Sequence, residues 1–166
     1  LADCDAQAAC RDAFPDLHER WTQLLEKLAA PLVYRYANAD LEGGGIDLTI
    51  RKDIFVEKLR SAMYFATQAR SLPLIIDAAS RGDFGPFLEL ALPAEADAPS
   101  FIAEGAYLSF TCTDDVSRID AVDNAALNDN TYLGDYRVEQ QVRACELWPS
   151  GSYPAALNRP LKATVP

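Results

Sequence analysis

Apolar side chains near the start of the chain recur at helical spacing. Within "FPDLHERWTQLLEKLAAP" (14–31) an i, i+4, i+7, i+11 stripe is formed by Leu17, Trp21, Leu24 and Leu28. This pattern predicts an amphipathic helix that turns one face to a core. Asp16, followed three residues later by Glu19, predicts a capping-box start, and Pro31 follows the expected end of the helix.

The pattern then changes from helical to β type. "LVYRY" (32–36) and "IDLTI" (46–50) are rich in β-branched and aromatic residues, and the glycine-containing segment "ANADLEGGG" (37–45) joins them. Glycines permit the backbone angles that a tight connection needs. We therefore expect one small β-hairpin.

Most of the remaining chain again has helical patterning. Helices are predicted in the segments "DIFVEKLRSAMYFATQ" (53–68), "LPLIIDAASRGDF" (72–84), "GPFLELALP" (85–93), "SFIAEGAYLSFTC" (100–112) and "GDYRVEQQVRACELWP" (134–149). The segment 100–112 is apolar enough to be packed on several sides. In the last helix Asp135 is the expected cap, and the stripe of Val138, Val142 and Cys145 places Cys145 toward the core. The polar stretch 114–133 predicts a loop and a short helix near 121–127. The fold class is therefore mainly α, a single helical domain over 1–166 with one hairpin.

Composition narrows the partners that this domain can have. The chain has 166 residues and a net charge of −10, and no run of Lys or Arg offsets that charge. Nucleic-acid binding requires cationic surface, so it is disfavoured. No apolar stretch approaches the roughly 20 residues that a membrane span needs. The acidity suits a cationic or amine-bearing small partner, although acidic surface more often serves only solubility.

Four cysteines give a further constraint. Cys4 and Cys10 lie close in sequence, whereas Cys112 and Cys145 lie far apart, and four cysteines allow three connectivities. We expect two disulfides formed in an oxidising compartment; the alternative is four reduced thiols, some of them buried. A bond between Cys112 and Cys145 would close a loop of about 34 residues, worth about 4 kcal/mol in the loop-entropy estimate.

The residues do not form a complete catalytic apparatus. The chain has no G-x-S-x-G motif, and its single imidazole, His18, lies at the edge of a helix stripe, where a surface position is expected. Gly43–Gly45 lack the Lys-Ser/Thr of a phosphate loop. The aspartates between 114 and 135 do not match a calcium-binding register. We expect no catalytic residue, metal site or cofactor within the chain.

Five stretches taken in order nevertheless resemble a known family. They are "CDAQAACRDAFPDL" (4–17), "LRSAMYF" (59–65), "LPLIIDAASRGDFGPFL" (72–88), "SFTCTDDV" (109–116) and "GDYRVEQQVRACELWP" (134–149). This succession resembles the inserted helical cap, with its flanks, of α/β-hydrolases related to prolyl aminopeptidase and tripeptidyl aminopeptidase. The resemblance covers almost the whole chain, and the contexts of the late cysteine pair are its most specific part.

The resemblance implies a fragment whose catalytic core lies elsewhere in the same protein. In that family the nucleophilic serine precedes the cap, and the catalytic acid and histidine follow it. The chain opens without Met and ends at "LKATVP", just before the strand that bears the acid in the family. We therefore expect a substrate-selecting lid that is inactive alone, from a secreted or periplasmic serine hydrolase. Peptides or amides are the implied substrates, and esters remain an alternative.

The family also directs attention to Asp114 and Asp115. An aminopeptidase needs a carboxylate that pairs with the free α-ammonium of its substrate, and acidic cap residues do this in relatives. The alternative is that one aspartate caps the next turn and the other is solvated. Trp148 and Tyr64 would provide an apolar wall or, more commonly for such residues, pack in the core. For the whole chain, the alternative function is a free-standing, disulfide-tied helical binding module.

Overall fold

The chain divides into two compact units, each of which is described by itself. A computed structural model describes residues 1–38, 42–92, 103–119, 121–152 and 154, with the backbone alone for 121–123 and 125. The first unit is Leu1–Ala98 and the second is Pro99–Pro166. The single domain expected over 1–166 stays a prediction. The mainly helical class with one small hairpin is confirmed.

The first unit contains seven of the described helices and the hairpin. Its helices are α1 (Ala2–Ala6), α2 (Ala8–Ala13), α3 (Leu17–Lys27), α4 (Lys52–Ala62), α5 (Ala66–Ala69), α6 (Leu72–Ser80) and α7 (Gly85–Ala91). Strands β1 (Leu32–Ala37) and β2 (Gly45–Ile50) pair antiparallel, with Tyr34 opposite Leu48. Gly45 is required in this hairpin, because a Cβ there would lie 2.4 Å from the carbonyl oxygen of Tyr36.

Helix α3 has the predicted face but not the predicted cap. The stripe is buried at all four positions, Leu17, Trp21, Leu24 and Leu28. Asp16 does occupy the N-cap position, but its side chain makes no capping hydrogen bond. The reason is its left-handed backbone with φ of 57°, since a capping side chain needs extended backbone at that position. Glu19 instead accepts a hydrogen bond from Gln23 at 3.1 Å.

Aromatic rings fill the centre of the first unit. Phe55 of α4 lies with its ring centroid 4.6 Å from that of Phe87 and 6.0 Å from that of Phe84. Trp21 of α3 joins this cluster, with its ring centroid 6.3 Å from that of Phe55. The Tyr34 ring meets Phe84 edge-on at 5.6 Å, so the hairpin packs against the same aromatic cluster.

The helix predicted over 53–68 is interrupted between α4 and α5. The amides of Met63, Tyr64 and Phe65 donate to carbonyls three residues back, which tightens the last turn. Phe65 then adopts extended backbone with φ of −122° and ψ of 116°. Tyr64 is left 73% exposed, so core packing for this side chain was a wrong prediction.

The described part of the second unit contains three helices and a short 3₁₀ turn. Its elements are α8 (Glu104–Asp114), the turn Val116–Arg118, α9 (Ala121–Asn128) and α10 (Tyr136–Leu147). The predicted helices are present, although residues 100–102 of the helix predicted over 100–112 lie outside the described residues. The predicted burial is wrong in two places. In helix α8 only Cys112 is buried, and Cys145 is only half-buried. The apolar composition of α8 was a poor guide because composition does not show which segments pack against a helix. None of the described helices has the length and apolar character needed to cross a membrane.

Candidate ligand-binding face around Asp114

The two predicted site residues lie together at the C-terminal end of α8, in different surroundings. Asp115 is exposed, and its carboxylate pairs with Arg118 at 3.3 Å. Asp114 is the last residue of α8 and is half-buried. Within the part of the chain that the structure describes, no hydrogen bond or ion pair involves the Asp114 carboxylate. Asp114 is therefore the carboxylate left available for a ligand.

The end of a helix increases the negative potential at this site. The last carbonyls of a helix carry a partial negative charge, so carboxylates there are not stabilised by the backbone. The Asp115 side chain makes no capping hydrogen bond to the following turn. A small cation or ammonium group is the complementary ligand for such a position.

An exposed aromatic ring shares the surface of Asp114. Phe110 precedes Asp114 by four residues on α8, which puts both side chains on one side of the helix, a turn apart. The Phe110 side chain is 66% exposed. We call Phe110, Asp114 and Asp115 the amine face, because it combines an apolar surface with a carboxylate that lacks a described partner.

A disulfide fixes α8 to α10 behind the amine face. Cys112 and Cys145 are bonded, and Cys112 is 3% exposed. Next to the bond, the Tyr107 hydroxyl donates to the Gln141 side chain at 3.0 Å, and Gln141 donates to the Thr111 hydroxyl at 2.6 Å. This contact orients α8, so that its remaining side carries Phe110 and Asp114.

The segment after α10 returns to lie along α8. The Trp148 indole N–H donates to the Ser109 hydroxyl at 3.1 Å, and the Gly151 amide donates to the Thr113 hydroxyl at 3.0 Å. A Cβ at Gly105 would meet the Trp148 ring at 3.6 Å, which is ordinary contact distance. Trp148 therefore lies against α8 but is only half-buried, so the core packing expected for it is not what the structure shows.

The other predicted cysteine pair is also bonded. Cys4 of α1 and Cys10 of α2 form the second disulfide, and no cysteine is free. The expectation of two disulfides is confirmed, and the connectivity is the one that pairs the close cysteines and the distant cysteines. His18 is exposed, as predicted for a surface histidine.

The sequence prediction missed a polar cluster at the start of α10. Asp135 occupies the N-cap position but makes no capping hydrogen bond. Its Oδ1 instead accepts from the side-chain amides of Asn124 and Asn128, at 2.8 and 2.9 Å. The i, i+4 spacing of the two asparagines was the signal that could have revealed it. Asp135 thereby ties α9 to α10 and is not available for a ligand.

The groups on the amine face are suited to binding a ligand. Within the described residues, no group of three His, Cys, Asp or Glu side chains could hold a metal ion. The amine face offers a carboxylate and an aromatic ring, which are the groups that recognise an amine carrying an apolar substituent. No known protein family, curated protein or solved structure matches the chain.

Proposed function

We propose that this chain is the substrate-selecting helical lid of a secreted or periplasmic serine α/β-hydrolase of aminopeptidase type. The observation that carries the proposal is the amine face, in which Asp114 has no described partner and Phe110 is exposed one turn away. The five stretches that resemble the cap of the prolyl and tripeptidyl aminopeptidase relatives supply the enzyme class. The two disulfides are compatible with an extracellular or periplasmic location.

The chemistry of selection follows from the two groups on the face. The α-ammonium of an unblocked peptide would pair with the Asp114 carboxylate in a charge-assisted hydrogen bond. The apolar side chain of the first substrate residue would lie against Phe110. An N-blocked peptide lacks the cation and would leave the carboxylate without its partner, which lowers its affinity. In this proposal the triad that cleaves the bond belongs to the catalytic core of the same protein.

The test uses the full-length protein that carries this chain, with aminoacyl arylamides that are either free or acetylated at the amine. Asp114→Asn is expected to raise KM for the free-amine substrate about tenfold, equivalent to about 1.4 kcal/mol. KM for the acetylated substrate should change little. Asp115→Asn is the matched control, because the Asp115 carboxylate is already paired with Arg118, and its effect should be smaller. Equal effects of Asp114→Asn on both substrates would refute amine recognition.

A free-standing disulfide-tied binding module is the second candidate, supported by the same two disulfides. The amino-acid sequence encoded on either side of this chain distinguishes the two candidates. A G-x-S-x-G motif before this segment, with an Asp and a His after it, is expected for a lid. A frame without those residues would leave only the binding module. In that case the isolated chain should still bind a free amino-acid amide more tightly than the acetylated amide, as measured by chemical-shift titration.

A further inference from the structure

We propose that the Cys112–Cys145 disulfide is a redox clamp, that is, a bond whose reduction by a dithiol separates and unfolds α8 and α10. The Leu1–Ala98 unit would stay folded. The inference goes beyond the proposed function and does not depend on it. It rests on an uneven distribution of buried side chains, on the contacts that replace a core between α8 and α10, and on the different exposure of the two sulfur-bearing residues.

Buried apolar side chains are concentrated in the first unit. Of the residues between 103 and 152 whose side chains the structure describes, Cys112 alone is buried, and it is one half of the disulfide. The first unit, in contrast, has a continuous aromatic and aliphatic core around Phe55. Because burial of apolar surface is the main stabilising contribution to folding, the described part of the second unit depends more on its covalent bond.

The remaining contacts between α8 and α10 are individually weak. They include the partly buried side-chain hydrogen bonds of Tyr107, Thr111 and Gln141. The residues just after α10 add the exposed hydrogen bonds of Trp148 and Gly151 to α8. Hydrogen bonds of this kind exchange with water when the helices separate, so their net contribution is small. Without the disulfide, α8 and α10 would be held together by these polar contacts and by the half-buried Trp148 that follows α10, with no buried side chain other than Cys112 among the described residues of either helix. Isolated helices as short as the described 11 residues of α8 and 12 residues of α10 are marginal in water.

The two ends of the bond differ in accessibility. Cys112 is buried, whereas Cys145 is half-buried on the exposed helix α10. A thiolate of the reductant would therefore attack the Cys145 sulfur, form a mixed disulfide and release the Cys112 thiolate. The second thiol of the reductant then displaces Cys145. Two electrons pass from the dithiol to the cystine, the reductant becomes a disulfide, and both cysteines take up a proton as thiols.

Opening of the clamp would remove the support of the amine face. Phe110 and Asp114 flank Cys112 on α8, two residues away on either side. Their relative placement requires α8 to stay helical. Reduction is thus expected to disorganise this face before the core of the first unit is affected.

Hydrogen–deuterium exchange of the full 166-residue chain tests the clamp, with dithiothreitol as the dithiol and alkylation to identify which bond has been reduced. Once Cys112–Cys145 is open, amides of α8 and α10 should exchange at least tenfold faster. Amides of α3 and α6 should keep their protection. A Cys112→Ser/Cys145→Ser double variant should reproduce this pattern without reductant, whereas Cys4→Ser/Cys10→Ser should keep α8 and α10 protected.

Two results would overturn the proposal. Unchanged protection of α8 and α10 after reduction would show that the helices do not need the bond. Simultaneous loss of protection in α3 and α6 would show that the effect is global rather than confined to the second unit. If the double serine variant cannot be produced in folded form, reduction of the oxidised wild-type chain decides between these outcomes by itself.

Discussion

The Asp77 carboxylate on α6 is buried between two guanidinium groups. The Arg20 guanidinium contacts the carboxylate from α3, and the Arg81 guanidinium contacts it from the C-cap position of α6. Asp77 is 5% exposed, so its negative charge would be costly without these partners. The Lys27 ammonium adds a second polar link between the same helices by donating to the Ser80 carbonyl at 3.1 Å. Asp77 therefore fixes how α6 lies on α3.

Removal of Arg20 should destabilise the protein even though Asp77 keeps Arg81. The Arg20 side chain is 30% exposed, so solvent moderates the effect. We expect Arg20→Met to lower the free energy of unfolding by about 2 kcal/mol, below the value for a fully buried pair. Arg35→Met is the control, because the Arg35–Asp47 pair is exposed and should cost less than about 1 kcal/mol. Urea denaturation measures both; equal losses would contradict a special contribution of the buried pair.

At the residue scale the sequence revealed types of residue but not their partners. The pair Asp114 and Asp115 looks equivalent in the sequence, and the Arg118 partner distinguishes the two only in three dimensions. The link between Arg20 and Asp77 joins residues 57 positions apart, so no local pattern could have indicated it. The cysteine connectivity likewise required the fold, because sequence alone allowed three pairings.

At the level of elements, the hairpin is joined to the start of α7 at one hydrogen-bonded corner, formed by Tyr34, Asp83 and Gly85. The Tyr34 hydroxyl donates to Asp83 at 3.1 Å, and the Gly85 amide donates to the same oxygen at 2.9 Å. The pKa of Tyr34 is raised, first by desolvation and then by the hydrogen bond to Asp83 and its negative charge. The neutral phenol is therefore the form that joins β1 to the start of α7.

This corner should weaken at alkaline pH. Because the folded state raises the pKa of Tyr34, its contribution to stability is complete below the ordinary tyrosine value of about 10 and is lost as pH rises through the folded value. The free energy of unfolding should fall as pH rises above about 10, and this fall should be smaller in Tyr34→Phe. Tyr36→Phe, on the same strand, is the matched control and should behave as wild type. Identical pH profiles for wild type and Tyr34→Phe would refute this coupling.

Periodicity predicted the existence of the elements better than their exposure. The stripe of α3 and the two β-type runs each led to the correct element, because the spacing of apolar residues reflects backbone geometry directly. The break at Met63–Phe65 was missed because no Gly or Pro marks it. The exposure of α8 was missed because composition cannot show what lies against a helix face.

At the scale of the whole molecule, stability and candidate function occupy different units. Apart from Cys112, the described buried apolar residues belong to Leu1–Ala98, and the amine face belongs to the unit that begins at Pro99. Binding surfaces are commonly drawn from regions of lower local stability. We expect substitutions on the amine face to change ligand selection with little effect on folding, and core substitutions to do the reverse.

Two phenylalanines test this division with the same change of side chain. Phe55 is 0% exposed and contacts the rings of Phe84 and Phe87, so Phe55→Ala should lower the free energy of unfolding by about 3–5 kcal/mol. Phe110 is 66% exposed, so Phe110→Ala should change the free energy of unfolding by less than about 0.5 kcal/mol. Urea denaturation followed by circular dichroism measures both. A loss of more than about 2 kcal/mol in Phe110→Ala would show that this ring is needed for packing, and the amine face would then lose its apolar half.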